Sequence, residues 1–260
     1  MSLSSGDNLL KKRESMSNNT SGKTEWIKII LFIVGEAFTI FSFFRMLADG
    51  VMTKAILTGL TTLLLILPLL IEKLSKKKLS LPVYILCIIY AVCPMLGHSY
   101  GLYYIWSWWD ELLHFTGGIV FALAGFEIAY KMDRSGKTSN NLMLAAFFGL
   151  FFSVTLSVFW EFAEYGCDLF FGMDMQSDTV VNSITSYTLS SEAGITNGID
   201  SIEEVIINGQ SLEVSGYLDI GLHDTMTDLL TESFGAVIAM IIFVVTKGRF
   251  RLFRKEMANT

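Results

Sequence analysis

NLMLAAFFGLFFSVTLSVFWEFAEY, residues 141–165, carries no charged residue before Glu161 and then two carboxylates within its last five positions. A helix rises about 1.5 Å per residue, so about 20 apolar residues cross a hydrocarbon core of about 30 Å. The stretch therefore reads as a membrane span with acids gathered at one end. The overlapping segment WEFAEYGCDLFF, residues 160–171, places Glu161, Glu164 and Asp168 within roughly 60° of one helix face, with no Lys or Arg beside them.

Five further segments meet the same length and polarity test, roughly 26–48, 54–72, 81–98, 111–130 and 224–246. The chain of 260 residues is 52% hydrophobic and only 17% charged, with 20 Phe and a mean hydropathy of +0.51, which excludes an ordinary soluble domain. The expected fold class is all-α, a polytopic transmembrane bundle of about six helices. Its partner is the lipid bilayer, and no nucleic-acid partner is expected. Cys87, Cys93 and Cys167 form no C-x-x-C pair and read as small buried hydrophobes.

Charge placement sets the expected topology. Lys11, Lys12, Arg13 and Lys23 precede the first span, Lys73 and Lys76 to Lys78 separate the second from the third, Lys131, Arg134 and Lys137 separate the fourth from the fifth, and Lys247, Arg249, Arg251, Arg254 and Lys255 follow the sixth. The positive-inside rule puts all four groups, and hence both termini, in the cytoplasm. The alternate connections 98–109 and 172–222 contain neither Lys nor Arg, while Arg45 and Lys54 beside the first outer turn run against the trend. The N-terminus lacks the apolar core of a cleavable signal, so the first span is expected to act as its own insertion signal.

The chain divides into a polar tail at 1–24, expected to be disordered, a six-helix domain at 25–247 and a basic cytoplasmic tail at 248–260. HSYGLYYIWSWW, residues 98–109, reads as an aromatic belt at headgroup level. The long outer segment 172–222 holds Asp174, Asp178, Glu192, Asp200, Glu203, Glu204, Glu213 and Asp219. Within it Asn208-Gly209, between short β-prone runs, signals a hairpin in a small cap.

Three spans bring carboxylates to one leaflet. WWDELLHFTGG places Asp110 and His114 on one face at the outer end of span four, Glu161 and Glu164 lie near the outer end of span five, and Asp224 and Asp228 enter from the same side on span six. An ionised carboxylate at such depth costs at least about 2.5 kcal/mol, so it faces the bundle interior with a partner. With no Lys or Arg on these faces, the partner is a cation or a proton. Carboxylate with imidazole suits a divalent ion, Zn, Mn, Fe or Mg, in a mono- or dinuclear site formed by Asp110, His114, Glu161, Glu164, Asp224 and Asp228. Asp168, His223 and Glu232 are additional candidates. In the competing reading the same groups share or relay protons, and taken singly Asp110, His223 and Asp224 also sit where a helix cap would. Gly117, Gly118 and Gly235 read as close-packing positions.

The ordered motifs D-x-x-x-H-F at Asp110, His114 and Phe115, E-x-x-E at Glu161 and Glu164, and D-x-x-x-D with a following Gly-Ala at Asp224, Asp228, Gly235 and Ala236 resemble the YjdF-like bacterial inner-membrane proteins. A fainter likeness, through the Asp-to-His spacing alone, is to VanZ-like membrane proteins. The resemblance implies a multi-pass protein of the bacterial cytoplasmic membrane and these polar positions, and it implies no particular reaction. Two departures stand out: segment 172–222 is longer than the pattern, and His223 stands where the pattern has Trp.

Three functions remain open on the sequence. The first is a metal-dependent enzyme acting on a lipid or cell-envelope substrate at the outer leaflet. The second is a cation- or proton-coupled carrier, for which Glu36 and Glu127 are the main polar groups continuing inward. The third is a non-catalytic membrane component whose acids organise packing or bind a partner.

Overall fold

The structure is a computed structural model that describes residues 5–132, 142–250 and 252. Residues 133–141, with Arg134 and Lys137, and nearly all of the basic tail beyond 250 lie outside the described residues. Among the described residues six helices are long and apolar enough to cross a membrane: Gly22–Ala48, Met52–Ser75, Leu81–Tyr100, Trp109–Tyr130, Leu142–Phe171 and Leu222–Val245. In element order the chain runs α1 (Ser5–Ala48), α2 (Met52–Ser75), α3 (Leu81–Tyr100), a single-turn α4 (Leu102–Ile105), α5 (Trp109–Met132), α6 (Leu142–Phe171) and, after the cap, α7 (Leu222–Val245). The expected all-α bundle is present. The first helix extends N-terminally from its span through part of the polar tail, beginning at Ser5. It contains no Pro, and once an adjoining span has nucleated a helix each added residue extends it at little cost.

The bundle is organised around α5. Its span is 61% buried, against 17–33% for the other five. It packs against α7, α6 and α3, while α1 lies outside on α2 and α3. The lipid-facing character of the rest is plain in α2, where Leu60, Leu63, Leu64 and Leu67 are exposed, and in α6, where Phe147, Phe151, Phe159 and Phe162 are exposed. A surface so apolar is stable only against hydrocarbon.

Small residues let α5 approach its neighbours. A methyl group on Gly118 would run into the backbone carbonyl of Glu232 on α7, and one on Gly235 into that of Phe115 on α5. The Gly125 site meets the Gly149 backbone of α6 in the same way. Ser153 on α6 donates to the Gly118 carbonyl at 3.1 Å. Gly117 sits against the Tyr90 ring of α3. The three glycines singled out in the sequence are thus close-packing positions, as small residues between membrane helices usually are.

Below this contact, toward the lysine-bearing end, a dry layer fills the bundle. Ala122, Leu123, Phe126, Ala145, Ala146, Ala236, Ala239 and Phe243 are buried together, and Phe126 stacks on Phe243 with ring centroids 4.2 Å apart. At the end of that layer a polar knot ties α1, α2 and the α2–α3 turn. The Lys28 Nζ donates to Glu72 Oε1 at 2.8 Å and to the Leu79 carbonyl at 2.7 Å, Leu79 N–H donates to Glu72 Oε1 at 2.9 Å, and Lys78 reaches Glu72 Oε2 at 2.8 Å and Glu25 Oε2 at 3.0 Å. Lys28 also lies 5.5 Å above the Tyr84 ring. Those carboxylates lift the Lys78 ammonium above its ordinary range, through hydrogen bonds to Glu72 first and Glu25 second.

Residues 172–221 form a cap of three separate antiparallel ladders: β1 (Val180–Val181) with β6 (Tyr217–Leu218), β2 (Ile184–Ser186) with β3 (Asn197–Ile199), and β4 (Ile206–Ile207) with β5 (Gln210–Ser211). The hairpin expected at Asn208-Gly209 is β4–β5, with Ile207 opposite Gln210. Both turn residues are left-handed, at φ 53° and 83°, as a two-residue type I′ turn requires. Acidic side chains fasten the cap to the helices. Asp168 accepts from Met175 N–H (2.6 Å) and Gln176 N–H (2.8 Å), and Asp224 from Ser177 N–H (3.0 Å). Asp219 accepts from Thr179 (2.8 Å), Gly221 (3.3 Å) and His223 (2.7 Å).

Two outcomes are expected. Glu72→Leu strands Lys28 in a buried position and should cost about 3 kcal/mol, whereas Lys28→Leu with Glu72→Leu should recover part of that, read by thermal unfolding in detergent. Partial desolvation raises the Asp219 carboxyl, but the three backbone donors outweigh it and hold the group below its usual range. Its contribution is therefore fully present above the unfolded pKa of about 3.9 and is lost as pH falls through the lower folded value. Amide exchange at Thr179, Gly221 and His223 should accelerate only in that acid window, and Asp219→Asn should accelerate it at neutral pH.

Candidate metal centre between α5, α6 and α7

The close approach of α5 to α7 at Gly118 and Gly235 sets the geometry of the polar residues just beyond it. His114 lies one turn from Gly118 and four residues from Asp110, while Asp228 and Glu232 lie one turn apart on α7. The imidazole is consequently gripped from both sides. Its Nε2 is 3.5 Å from Asp228 Oδ2 and 3.9 Å from Asp110 Oδ1, and its Nδ1 is 3.6 Å from Glu232 Oε2. These separations exceed those of ordinary N–H···O hydrogen bonds, about 2.7–3.2 Å. The two at Nε2 are close to the spacing of donor atoms around a shared ion.

From α6 come Glu161 and Glu164, on one face at i and i+3. The Trp160 Nε1–H donates to Glu164 Oε1 at 2.9 Å and fixes that carboxylate. One atom each from Asp110, His114 and Asp228 lie within 4.8 Å of one another, and so do one atom each from Glu161, Glu164 and Asp228. Among the described residues these are the two groups of at least three His, Cys, Asp or Glu with such spacing, and Asp228 belongs to both.

Burial makes the cluster costly. His114, Glu161, Glu164, Asp228 and Glu232 are 2–7% exposed. His114 Nδ1, both oxygens of Glu161, Glu164 Oε2, Asp228 Oδ2 and Glu232 Oε1 are fully buried without a hydrogen-bond partner. Native interiors leave few such atoms, and each costs about 1–3 kcal/mol or more when charged. The basic residues at this end are committed elsewhere: Arg45 faces Asp49 at 3.8 Å, and Lys54 donates to the Ser99 carbonyl at 3.3 Å. The Asp110 side chain, 29% exposed, is the one member that is partly exposed.

The structure separates the sequence candidates. It brings together Asp110, His114, Glu161, Glu164 and Asp228, with Glu232 against the far ring nitrogen. Asp224, half-buried, holds the cap through Ser177 and belongs to neither group; Asp168 is occupied by the backbone at the end of α6; and His223 is exposed, its N–H bonded to Asp219. Asp168 and Asp224 thus hold backbone amides of the segment that follows α6, apart from the buried cluster. Glu36 lies on α1, and Glu127 is buried on α5 beyond Phe126.

Three neighbours had escaped notice. Trp160 is one turn before Glu164, a spacing that would have revealed it. Ser157, one turn before Glu161, is buried with an unpartnered Oγ. Tyr103 on α4 is wedged against Gly97, 4.8 Å from the His98 ring centroid. Its hydroxyl is pushed above the usual phenol range by burial first and then by Asp110 and Glu164, so it lies within their field. No helical spacing connects Tyr103 to the other residues, and only the fold could supply it.

Six apolar helices around a buried carboxylate and histidine cluster define a polytopic membrane protein with an ionisable centre between three spans. Residues 27–249 match the model of the family described as predicted membrane protein (DUF2238). The chain belongs to that family, the YjdF-like one whose motif order it shares. No curated protein and no solved structure matches it.

The packing yields a test. Gly118→Leu should separate α5 from α7 and lower stability by on the order of 1–3 kcal/mol in detergent unfolding. Gly166→Ala, on α6 with open space around it, should be neutral or slightly stabilising.

Proposed function

We propose that the protein binds a divalent cation between α5 and α7 at the outer leaflet and uses it as a metal-dependent enzyme on a lipid or cell-envelope substrate. The observation that carries this reading is the orientation of His114. Its Nε2 faces Asp110 and Asp228, and its Nδ1 faces Glu232. A ligating imidazole commonly has this arrangement, with one nitrogen toward the ion and the other toward a carboxylate that fixes ring and tautomer. Asp110, His114 and Asp228 would hold the ion, and Glu232 would position the ring. The donor set of two carboxylates and one imidazole suits Zn, Mn or Fe better than the all-oxygen shell usual for Mg.

Such an ion would supply a Lewis acid that activates water or polarises an ester. The chain's own residues would contribute the rest. The aromatic layer of Phe126 and Phe243 closes the centre from the lysine-bearing end, and the partly exposed Asp110 marks the approach from the cap. The positive-inside distribution puts that cap outside the cell and both termini in the cytoplasm. The same apolar layer weighs against the carrier reading, since a path through the bundle needs polar groups or water at that depth.

Purified protein is expected to contain stoichiometric divalent metal, and added Mn²⁺ or Zn²⁺ at about 100 times Kd should stabilise metal-stripped protein by about 2.7 kcal/mol in thermal unfolding. His114→Ala should abolish that stabilisation. Protein that carries no metal and melts identically with chelator, Mn²⁺, Zn²⁺ or Mg²⁺ would remove the proposal.

A further inference from the structure

We infer that the centre holds two divalent cations, the second between Glu161, Glu164 and Asp228, with Asp228 shared by both. This rests on the metal-binding reading above and adds a site on α6 to it. The first reason is geometric. Asp228 belongs to two donor groups, one completed by α5 and the other by α6. It lies on α7, 2% exposed, with Oδ2 unpartnered. A carboxylate common to two donor groups has the disposition of a bridge, and helical bundles build paired-metal carboxylate sites from facing helices in this way.

The second reason is the state of the α6 carboxylates. Glu161 is 4% exposed and neither of its oxygens has a partner; Glu164 is 7% exposed, anchored through Oε1 by Trp160, with Oε2 unpartnered. An ion held by Asp110, His114 and Asp228 alone leaves these three oxygens unsatisfied. Ser157, one turn along α6, adds another unpartnered oxygen on the same face.

The third reason is charge. Asp110, Glu161, Glu164, Asp228 and Glu232 bring five carboxylates around a single imidazole, and Arg45 and Lys54 are engaged elsewhere. With the carboxylates ionised and the imidazole neutral, one divalent cation leaves an excess of about three negative charges and two leave about one. Two ions also supply the positive charge that an anionic substrate would otherwise require from Lys or Arg.

The experiment uses the full-length protein in detergent, stripped with chelator and titrated with Mn²⁺, reading metal per chain by elemental analysis and the spin state by low-temperature electron paramagnetic resonance. Wild type should bind two Mn²⁺ per chain with an exchange-coupled spectrum. Glu161→Gln with Glu164→Gln should bind one, with the six-line signal of an isolated ion. Asp228→Asn should weaken both at least tenfold. Because the coupled spectrum is a property of wild type, the test stands even where a variant does not fold. One uncoupled Mn²⁺ per chain in wild type would overturn the second site and leave the first intact; no bound Mn²⁺ would overturn both.

Discussion

The structure turns on how ionised groups are accommodated where water is scarce. The bundle has two buried acidic centres, one near each end, and they are treated in opposite ways. Glu72 receives Lys28, Lys78 and the Leu79 amide within hydrogen-bond distance, so its charge is neutralised by the chain itself. The cluster of Glu161, Glu164, Asp228 and Glu232 receives one imidazole and one indole. Among the described residues a lysine stands against one buried glutamate and none against these four acids, and that contrast is what the proposed cation site rests on.

The glycine contacts make that arrangement mechanically possible. Gly118 and Gly235 bring the backbones of α5 and α7 together one turn from His114, one turn beyond Glu232 and two beyond Asp228, which sets how far apart the imidazole and carboxylates sit. A larger residue at either glycine would open the cluster at its base. The dry layer of Phe126, Phe243 and their neighbours lies on the other side of the same contact. Packing therefore serves the chemistry twice, in spacing the donor atoms and in closing one end of the centre.

Much of this was legible before any coordinates. The spans follow from length and apolarity, the β4–β5 hairpin from Asn208-Gly209, and the helical pairs Asp110 with His114 and Glu161 with Glu164 from the 3.6-residue period. Less accessible was the difference among acids of the same type on neighbouring turns of α6 and α7. Asp168 and Asp224 differ from Glu161 and Asp228 by one or two helical turns, yet they meet backbone amides at the base of the cap. That distinction depends on where the loop at 172–177 folds back, and no local pattern encodes it.

The amino-acid sequence alone determined six membrane-spanning helices, because apolar run length and helical rise are properties of single segments. It also determined which faces bear carboxylates, because the helical period is fixed by the backbone. The tertiary structure decided which acids meet, that Asp228 is common to two donor groups, that Glu232 lies at the far nitrogen of His114, and that Tyr103 packs on Gly97 and His98. Those facts depend on helix rotation and separation, set by contacts such as Gly118 with the Glu232 carbonyl between residues more than a hundred positions apart.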